Sequence, residues 1–280
     1  DCLLSRGLGD VYKRQQSVGL ILGANVGTTL TGWIISLAGF KVQTANIALI
    51  VMGIALPMIF AKINSWRSTA EFLVGFSFML LGLSFMKNAV PDLSQDAEIL
   101  SFLRFYKVTI WTTMLAVLLG GVLTIIVQSS SVSIGMVQVL ATQGFIPIEF
   151  AIAMLLGSNI GTTVTTNIAS LVASRDAQRA ARIHTLVNVI GAIWAIFVMG
   201  YLLQAVDFFC LRVLDLPYSV FSENPVERGE IMPFALATFH TGFNLVNTLM
   251  LARFIPLLVK ISGYLVLSLI HISEPTRQEA

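Results

Sequence analysis

Charge is what this chain has least of. Of its 280 residues only 11% are Asp, Glu, Lys or Arg, and they sum to a formal +2. So sparse a set makes no concentrated basic face of the kind nucleic acid requires. Cysteine is almost missing as well: Cys2 and Cys210 show no metal-ligand or redox spacing, so neither a zinc site nor a disulfide framework is indicated. No signal peptide is visible, and no Gly-x-Ser-x-Gly elbow exists to raise a serine nucleophile. Apolar residues occupy the room that charge leaves. A hydrophobic share of 56% and a mean hydropathy of +0.83 make this an integral membrane protein with the lipid bilayer as its solvent.

A helix needs ~20 apolar residues to cross a bilayer. Ala45 to Ala61, Thr69 to Met86, Val108 to Val127, Ile183 to Val206 and Met232 to Leu258 read as such runs. Two shorter ones, Val132 to Leu140 and Ile148 to Leu156, flank Thr142-Gln-Gly-Phe-Ile-Pro147 and read as the arms of a re-entrant hairpin. Between the runs lie a mixed-charge stretch from Lys87 to Lys107, a basic loop from Arg175 to Arg182 and an acidic loop from Asp207 to Glu230. Lys and Arg accumulate on the cytoplasmic side, which puts Lys62, Arg67, Arg175, Arg179, Arg182 and Lys260 inside and the acidic loop outside. Trp33, Trp66, Trp111 and Trp194 fall mostly near run ends and read as interface anchors.

Within this apolar background one polar phrase occurs twice. Gly23-Ala-Asn-Val-Gly-Thr-Thr-Leu-Thr31 and Gly157-Ser-Asn-Ile-Gly-Thr-Thr-Val-Thr165 share Gly, Asn, Gly, Thr, Thr and Thr in register. Small residues alone would serve close helix packing. Amides and hydroxyls beside paired glycines instead suit a helix break that lines a cavity, because non-helical backbone survives in hydrocarbon only there. Broken segments in corresponding positions of two halves mark a transporter's binding site. The charge pattern sends the chain outward after the first copy and inward after the second, as inverted repeats require. The predicted fold is therefore all-α: a polytopic membrane protein with inverted-topology repeats, re-entrant helical hairpins and broken helices.

Gln128-Ser129-Ser130-Ser131, with Ser133 close behind, forms another polar island at membrane depth. Serines at the start of a half-helix add hydroxyls to unpaired N–H groups and the positive end of the helix dipole, a setting for an oxyanion. Gln and Ser oxygens also suit a hard cation such as sodium. No Lys or Arg lies in these phrases, so an anion there needs a co-bound cation or the helix dipoles, which favours cation coupling. A hydrolase built on Ser130 or Ser131 with His184 or His240 as base lacks an acidic residue to orient the base, so the chain reads as a non-enzyme. His184-Thr-Leu-Val-Asn188 and His240-Thr-Gly-Phe-Asn244 each set His and Asn four apart on one helical face. Such pairs bond to each other and to a neighbouring helix, or support a site from behind.

The serine island, both Gly-x-Asn-x-Gly-Thr-Thr phrases, Ser174-Arg-Asp-Ala-Gln-Arg-Ala180 and His240-Thr-Gly-Phe-Asn244 together resemble the sodium-dependent phosphate cotransporter family (type II, Na/Pi), over essentially all of Gln16 to Lys260. The resemblance implies sodium-coupled movement of inorganic phosphate across the cell inner membrane by alternating access. It implies a substrate site lined by Gln128, Ser129, Ser130 and Ser131 with Asn25, Thr28, Thr29, Asn159, Thr162 and Thr163. Sodium, the coupling ion, would be held by Gln128, Ser129, Asn159 and Thr162, and His184, Asn188, His240 and Asn244 would stand behind the site. A non-transporting ion sensor or scaffold, or a cotransporter of another oxyanion, is the alternative reading.

The sequence departs from the family pattern in one respect: no Gln-Ser-Ser-Ser run precedes Gly23. Residues 1–15 and 265–280 look like adapter-derived, non-native tails. The expected organisation is then a truncated first repeat over 16–107 and a second repeat over 108–264. Such a fragment is expected not to transport alone. A cytoplasmic helical domain resembling the phosphate-signalling regulator PhoU is expected beyond Lys260 in the longer protein.

Overall fold

The computed structural model describes residues 2–39, 44–89, 108–222 and 224–266, and the side chains of 2–15 are left aside. All regular structure among the described residues is helical. Helix α1 (Cys2–Ile34) passes into a π-helical turn, Ile35–Gly39. Helices α2 (Thr44–Met58) and α3 (Asn64–Ala89) pack as a pair. The second half comprises α4 (Ile110–Val127), α5 (Ser130–Thr142), α6 (Ile148–Ser170), α7 (Arg175–Phe197), α8 (Met199–Arg212), α9 (Pro225–Ala252) and α10 (Ile255–Leu265). Five stretches are long and apolar enough to cross a membrane: Gln16–Leu37, Asn64–Ala89, Ile110–Val127, Ile148–Ser170 and Arg175–Phe197. A bent pair, α9 with α10, turns through 85°, the shape of a broken span or of a re-entrant loop. Leu118, Ile126 and Phe197 are among the many large apolar side chains that face outward, which only a lipid solvent tolerates.

Burial is concentrated on α6. Every residue from Ala151 to Asn159 is buried, so this half of the helix touches protein on all sides, as a helix apolar all round must. Its closest neighbour is α4, and glycine is the reason. A Cβ added to Gly120 would run into the Met154 carbonyl, and one added to Gly157 into the Val117 carbonyl. One added to Gly161 would lie 2.5 Å from the Gly121 carbonyl oxygen. Lipid supplies no hydrophobic drive between helices, so close van der Waals contact of this kind is what holds them. In the first copy of the phrase the counterparts Gly23 and Gly27 meet nothing within 4 Å.

Several expectations need correction. The Gly-x-Asn-x-Gly-Thr-Thr phrases do not break their helices: α1 and α6 run through them unbroken. In the second copy the contact with α4 outweighs the ~1 kcal/mol helix penalty of each glycine. The second hairpin arm therefore does not end at Leu156 but belongs to a 23-residue helix, while the first arm, α5, stays short at 13 residues. Ala45 to Ala61 yields a helix of only 15 residues, which closes in turns just after Pro57, where an N–H is lost. Arg175 to Arg182 is no loop but the first turns of α7, capped by the Ser174 hydroxyl accepting the Ala177 N–H. The run from Ile183 to Val206 is divided at Val198 between α7 and α8. Helix α9 starts before Met232, where Asn224 caps the Val226 N–H and Pro225 opens the first turn. The acidic loop shrinks accordingly, and the Asp207 carboxylate gathers it by accepting from Ser219 Oγ and the Val220 N–H. Trp66 and Trp111 are exposed, as anchors should be, but Trp33 donates to Thr241 and Trp194 to Asn247 inside the bundle. Most of the mixed-charge stretch after Lys87 lies outside the described residues.

Gly157→Ala is expected to lower stability by ~1–3 kcal/mol through overpacking. Gly23→Ala should stay within ~1 kcal/mol of the parent. Thermal unfolding of the purified protein in detergent reads the difference, and equal midpoints would refute the backbone contact.

Candidate functional site

Between α4 and α5 the chain breaks inside the bundle. Gln128 closes α4 in the left-handed conformation, φ 57°, with its N–H donating to the Thr124 carbonyl. Ser129 is extended and caps α5, its hydroxyl accepting the Val132 N–H at 3.4 Å. The Ser133 N–H donates to the Ser129 carbonyl, so the N–H groups of Ser130 and Ser131 have no partner within the helix. Two orphan donors, three serine hydroxyls and the positive end of a helix dipole thus share one helix tip. Gln128 is exposed and Ser129, Ser130 and Ser131 are half-buried.

Hydroxyls pin this tip to both copies of the phrase. Thr124 Oγ1 lies 2.9 Å from the Gly120 carbonyl and 2.8 Å from both Ser133 Oγ and Ser158 Oγ. A hydroxyl has one proton and two lone pairs. Because the carbonyl can only accept, Thr124 donates to Gly120 and accepts from both serines. That ties the end of α4, the first turn of α5 and the second phrase together. Ser131 Oγ reaches Thr31 Oγ1, the last residue of the first phrase, at 3.4 Å.

The two repeated asparagines are joined by a second chain of bonds whose protons can be placed from one end. Asn188 Nδ2 donates to the main-chain carbonyl of Asn159 at 3.0 Å, which fixes the Asn188 amide. Its Oδ1 then accepts from Asn25 Nδ2 at 2.9 Å, which fixes Asn25. Asn25 Oδ1 in turn accepts from His184 Nε2 at 3.0 Å, so His184 carries its proton on Nε2. At the other copy His240 Nε2 stands 3.2 Å from Asn159 Oδ1. Each phrase therefore has its asparagine oxygen bonded by one histidine from the His-x-x-x-Asn pairs. The second copy is incomplete: Asn159 Nδ2 and His240 Nδ1 are buried without a hydrogen-bond partner, an arrangement buried polar atoms seldom keep.

Bonds between helices join only part of the expected set. Asn25 and Asn159 hold the chain of bonds, and Asn188, His184 and His240 touch them directly. Asn244 turns back to donate to the His240 carbonyl of its own helix. The four threonines also donate along their own helices: Thr28 to Ala24, Thr29 to Val26, Thr162 to Ser158 and Thr163 to Ile160. These bonds satisfy the hydroxyl protons and leave oxygen lone pairs. Thr124 and Ser158 were not anticipated. Thr124 looks like the end of an apolar run and Ser158 occupies a variable position of its phrase; a threonine four residues before Gln128 was the available signal. Asn167, which donates to the Thr163 carbonyl and accepts from Arg182 Nη1 at 2.7 Å, was missed too.

The profile of the Na+/Pi-cotransporter family matches residues 9–88 and 97–212. The chain is 27% identical over 248 residues to "Uncharacterized protein YqeW" of Bacillus subtilis, covering 88% of this chain and 71% of that protein. It is 24% identical over 241 residues to "Putative inorganic phosphate export protein YjbB" of Salmonella typhimurium, covering 86% of this chain and 40% of that one. No solved structure matches. The profile covers most of the chain and the long apolar helices fit a bilayer, so the chain is a multi-pass membrane protein of the Na+/Pi-cotransporter family.

Proposed function

We propose that this chain binds inorganic phosphate at the Ser129–Ser131 tip of α5 and that its movement across the inner membrane is coupled to sodium by alternating access. One observation carries the reading: the helix tip with two orphan N–H groups is bonded to both copies of the duplicated phrase. Phosphate oxygens suit these donors, since charge-assisted bonds to a helix N-terminus need no basic side chain. The buried, unpartnered Asn159 Nδ2 is a further donor on the second phrase. Sodium suits the oxygens that remain, with Gln128, Ser129, Asn159 and Thr162 as its proposed ligands. The relative from Salmonella typhimurium is named for phosphate export, so either direction of flux fits the family name. The reaction is transfer between compartments rather than bond chemistry.

Radiolabelled phosphate binding to the purified chain in lipid nanodiscs tests the reading, in sodium chloride and in choline chloride at equal ionic strength. Binding should appear in sodium and weaken at least severalfold in choline. Ser131→Ala should weaken it by about 1.5–3 kcal/mol, roughly tenfold to a hundredfold, as for a lost bond to a charged group. Absence of phosphate binding in both salts by folded protein would leave an ion sensor or scaffold, or a carrier of another oxyanion. Binding indifferent to sodium would remove the coupling and keep the substrate.

Asn188→Leu leaves the Asn25 amide and the Asn159 carbonyl without their shared partner. It is expected to cost about 1–3 kcal/mol of stability, chiefly through the half-buried Asn25 amide, since the Asn159 carbonyl keeps the bond of its own helix. Combined with Asn25→Leu, the two losses should be non-additive by at least ~0.5 kcal/mol. Simple additivity in thermal unfolding would show that the asparagine chain is not a unit.

A further inference from the structure

A second polar centre lies away from the serine tip, on the same interface between α1 and α5. Gln138 is seven residues after Ser131 and so two helical turns along α5, about 10 Å deeper at 1.5 Å per residue. Its side chain is fully buried. Nε2 sits over a cup of three oxygens: the Gly32 carbonyl at 3.3 Å, Ser36 Oγ at 3.1 Å and the Pro233 carbonyl at 3.1 Å. Ser36, also fully buried, is 2.7 Å from the Gly32 carbonyl and 2.8 Å from the Pro233 carbonyl.

Each carbonyl lies at or near an irregular point of its helix. Ser36 lies in the π-helical turn that follows α1, and Gly32 precedes that turn. Pro233 sits inside α9, where it removes a backbone N–H. π-turns cluster at functional positions. The cup has three acceptors, and as drawn the two amide protons and the Ser36 proton satisfy them. The cost falls on Gln138 Oε1, which is buried and without a partner. Turning the amide over would point that oxygen into the cup and the NH2 group out of it. Four oxygens would then converge from three helices, an arrangement that a cation at its centre stabilises, as where carbonyls replace an ion's hydration shell.

We infer that Gly32 O, Ser36 Oγ, Pro233 O and Gln138 Oε1 form a binding site for a dehydrated monovalent cation of sodium size, distinct from the serine tip. The ion lies between the turned amide and the cup, and the orphaned oxygen becomes a ligand. It rests on the proposed transport only for its purpose: occupancy ties α5, the helix that carries the serines, to α1 and α9. Binding itself is independent of phosphate.

Substitution of Gln138 separates this reading from a plain cross-link, because the two predict opposite signs. Gln138→Glu replaces the amide donor by oxygen. A cross-link would lose its N–H bonds and be weakened equally in every salt, whereas a cation site gains a carboxylate ligand. Equilibrium binding of radiolabelled sodium to the purified chain in nanodiscs, without phosphate, is the measurement. Tighter binding by at least tenfold in Gln138→Glu, with severalfold loss in Ser36→Ala, is the expected result. Sodium binding unchanged by either variant, or a Gln138→Glu protein destabilised to the same extent in sodium and in choline, overturns the site. Phosphate binding is scored in a separate experiment, so its failure would fall on the proposed function alone.

Discussion

Everything around the site depends on the backbone-to-backbone contact of α4 with α6. Gly120, Gly121, Gly157 and Gly161 remove the side chains that would otherwise hold the helices apart. Between lipid-solvated helices close contact is the main attraction, so the position of α6 is set where this contact is tightest. The same approach brings Thr124 of α4 within bonding distance of Ser158 of α6. Once that hydroxyl is placed, Ser133 joins it, and the chain must reverse between Val127 and Ser130. A left-handed Gln128 is how it reverses without a glycine, a conformation uncommon for a residue with a side chain.

The asparagine chain follows the opposite logic, since it exists to satisfy polar groups that hydrocarbon will not solvate. One main-chain carbonyl, that of Asn159, orders three side chains in sequence and reaches the other copy of the phrase. The two copies are chemically alike and electrically unlike. Around Asn25 both atoms of the amide are engaged, whereas Asn159 keeps a buried donor without a partner. Two closely similar phrases therefore give one closed and one open end.

Much of this was legible in the sequence, and what was not has a common physical cause. The duplicated phrase, the serine break and the short arm of α5 are local patterns, and they appear where their chemistry required. The phrases looked like helix breaks because two glycines and polar side chains weaken a helix locally. The continuity of the second copy is set by contacts with α4, more than thirty residues away, which no local pattern displays. Each His-x-x-x-Asn pair has the spacing to bond within its helix, yet His184 reaches Asn25 and His240 reaches Asn159 across the bundle. Trp33 and Trp194 were misread for the same reason, their partners Thr241 and Asn247 being distant in the chain. The start of α7 was readable: Ser174 is a good cap, but the arginines behind it suggested a loop.

The burial of α6 from Ala151 to Asn159 on every side restricts how the protein can change shape. A helix that faces lipid can tilt or slide by exchanging one set of acyl chains for another. This half of α6 has no lipid face to exchange, and any displacement would tear glycine contacts that no other surface can replace. Any rearrangement around Asn159 therefore falls to the helices that surround this half of α6, some of which do face lipid.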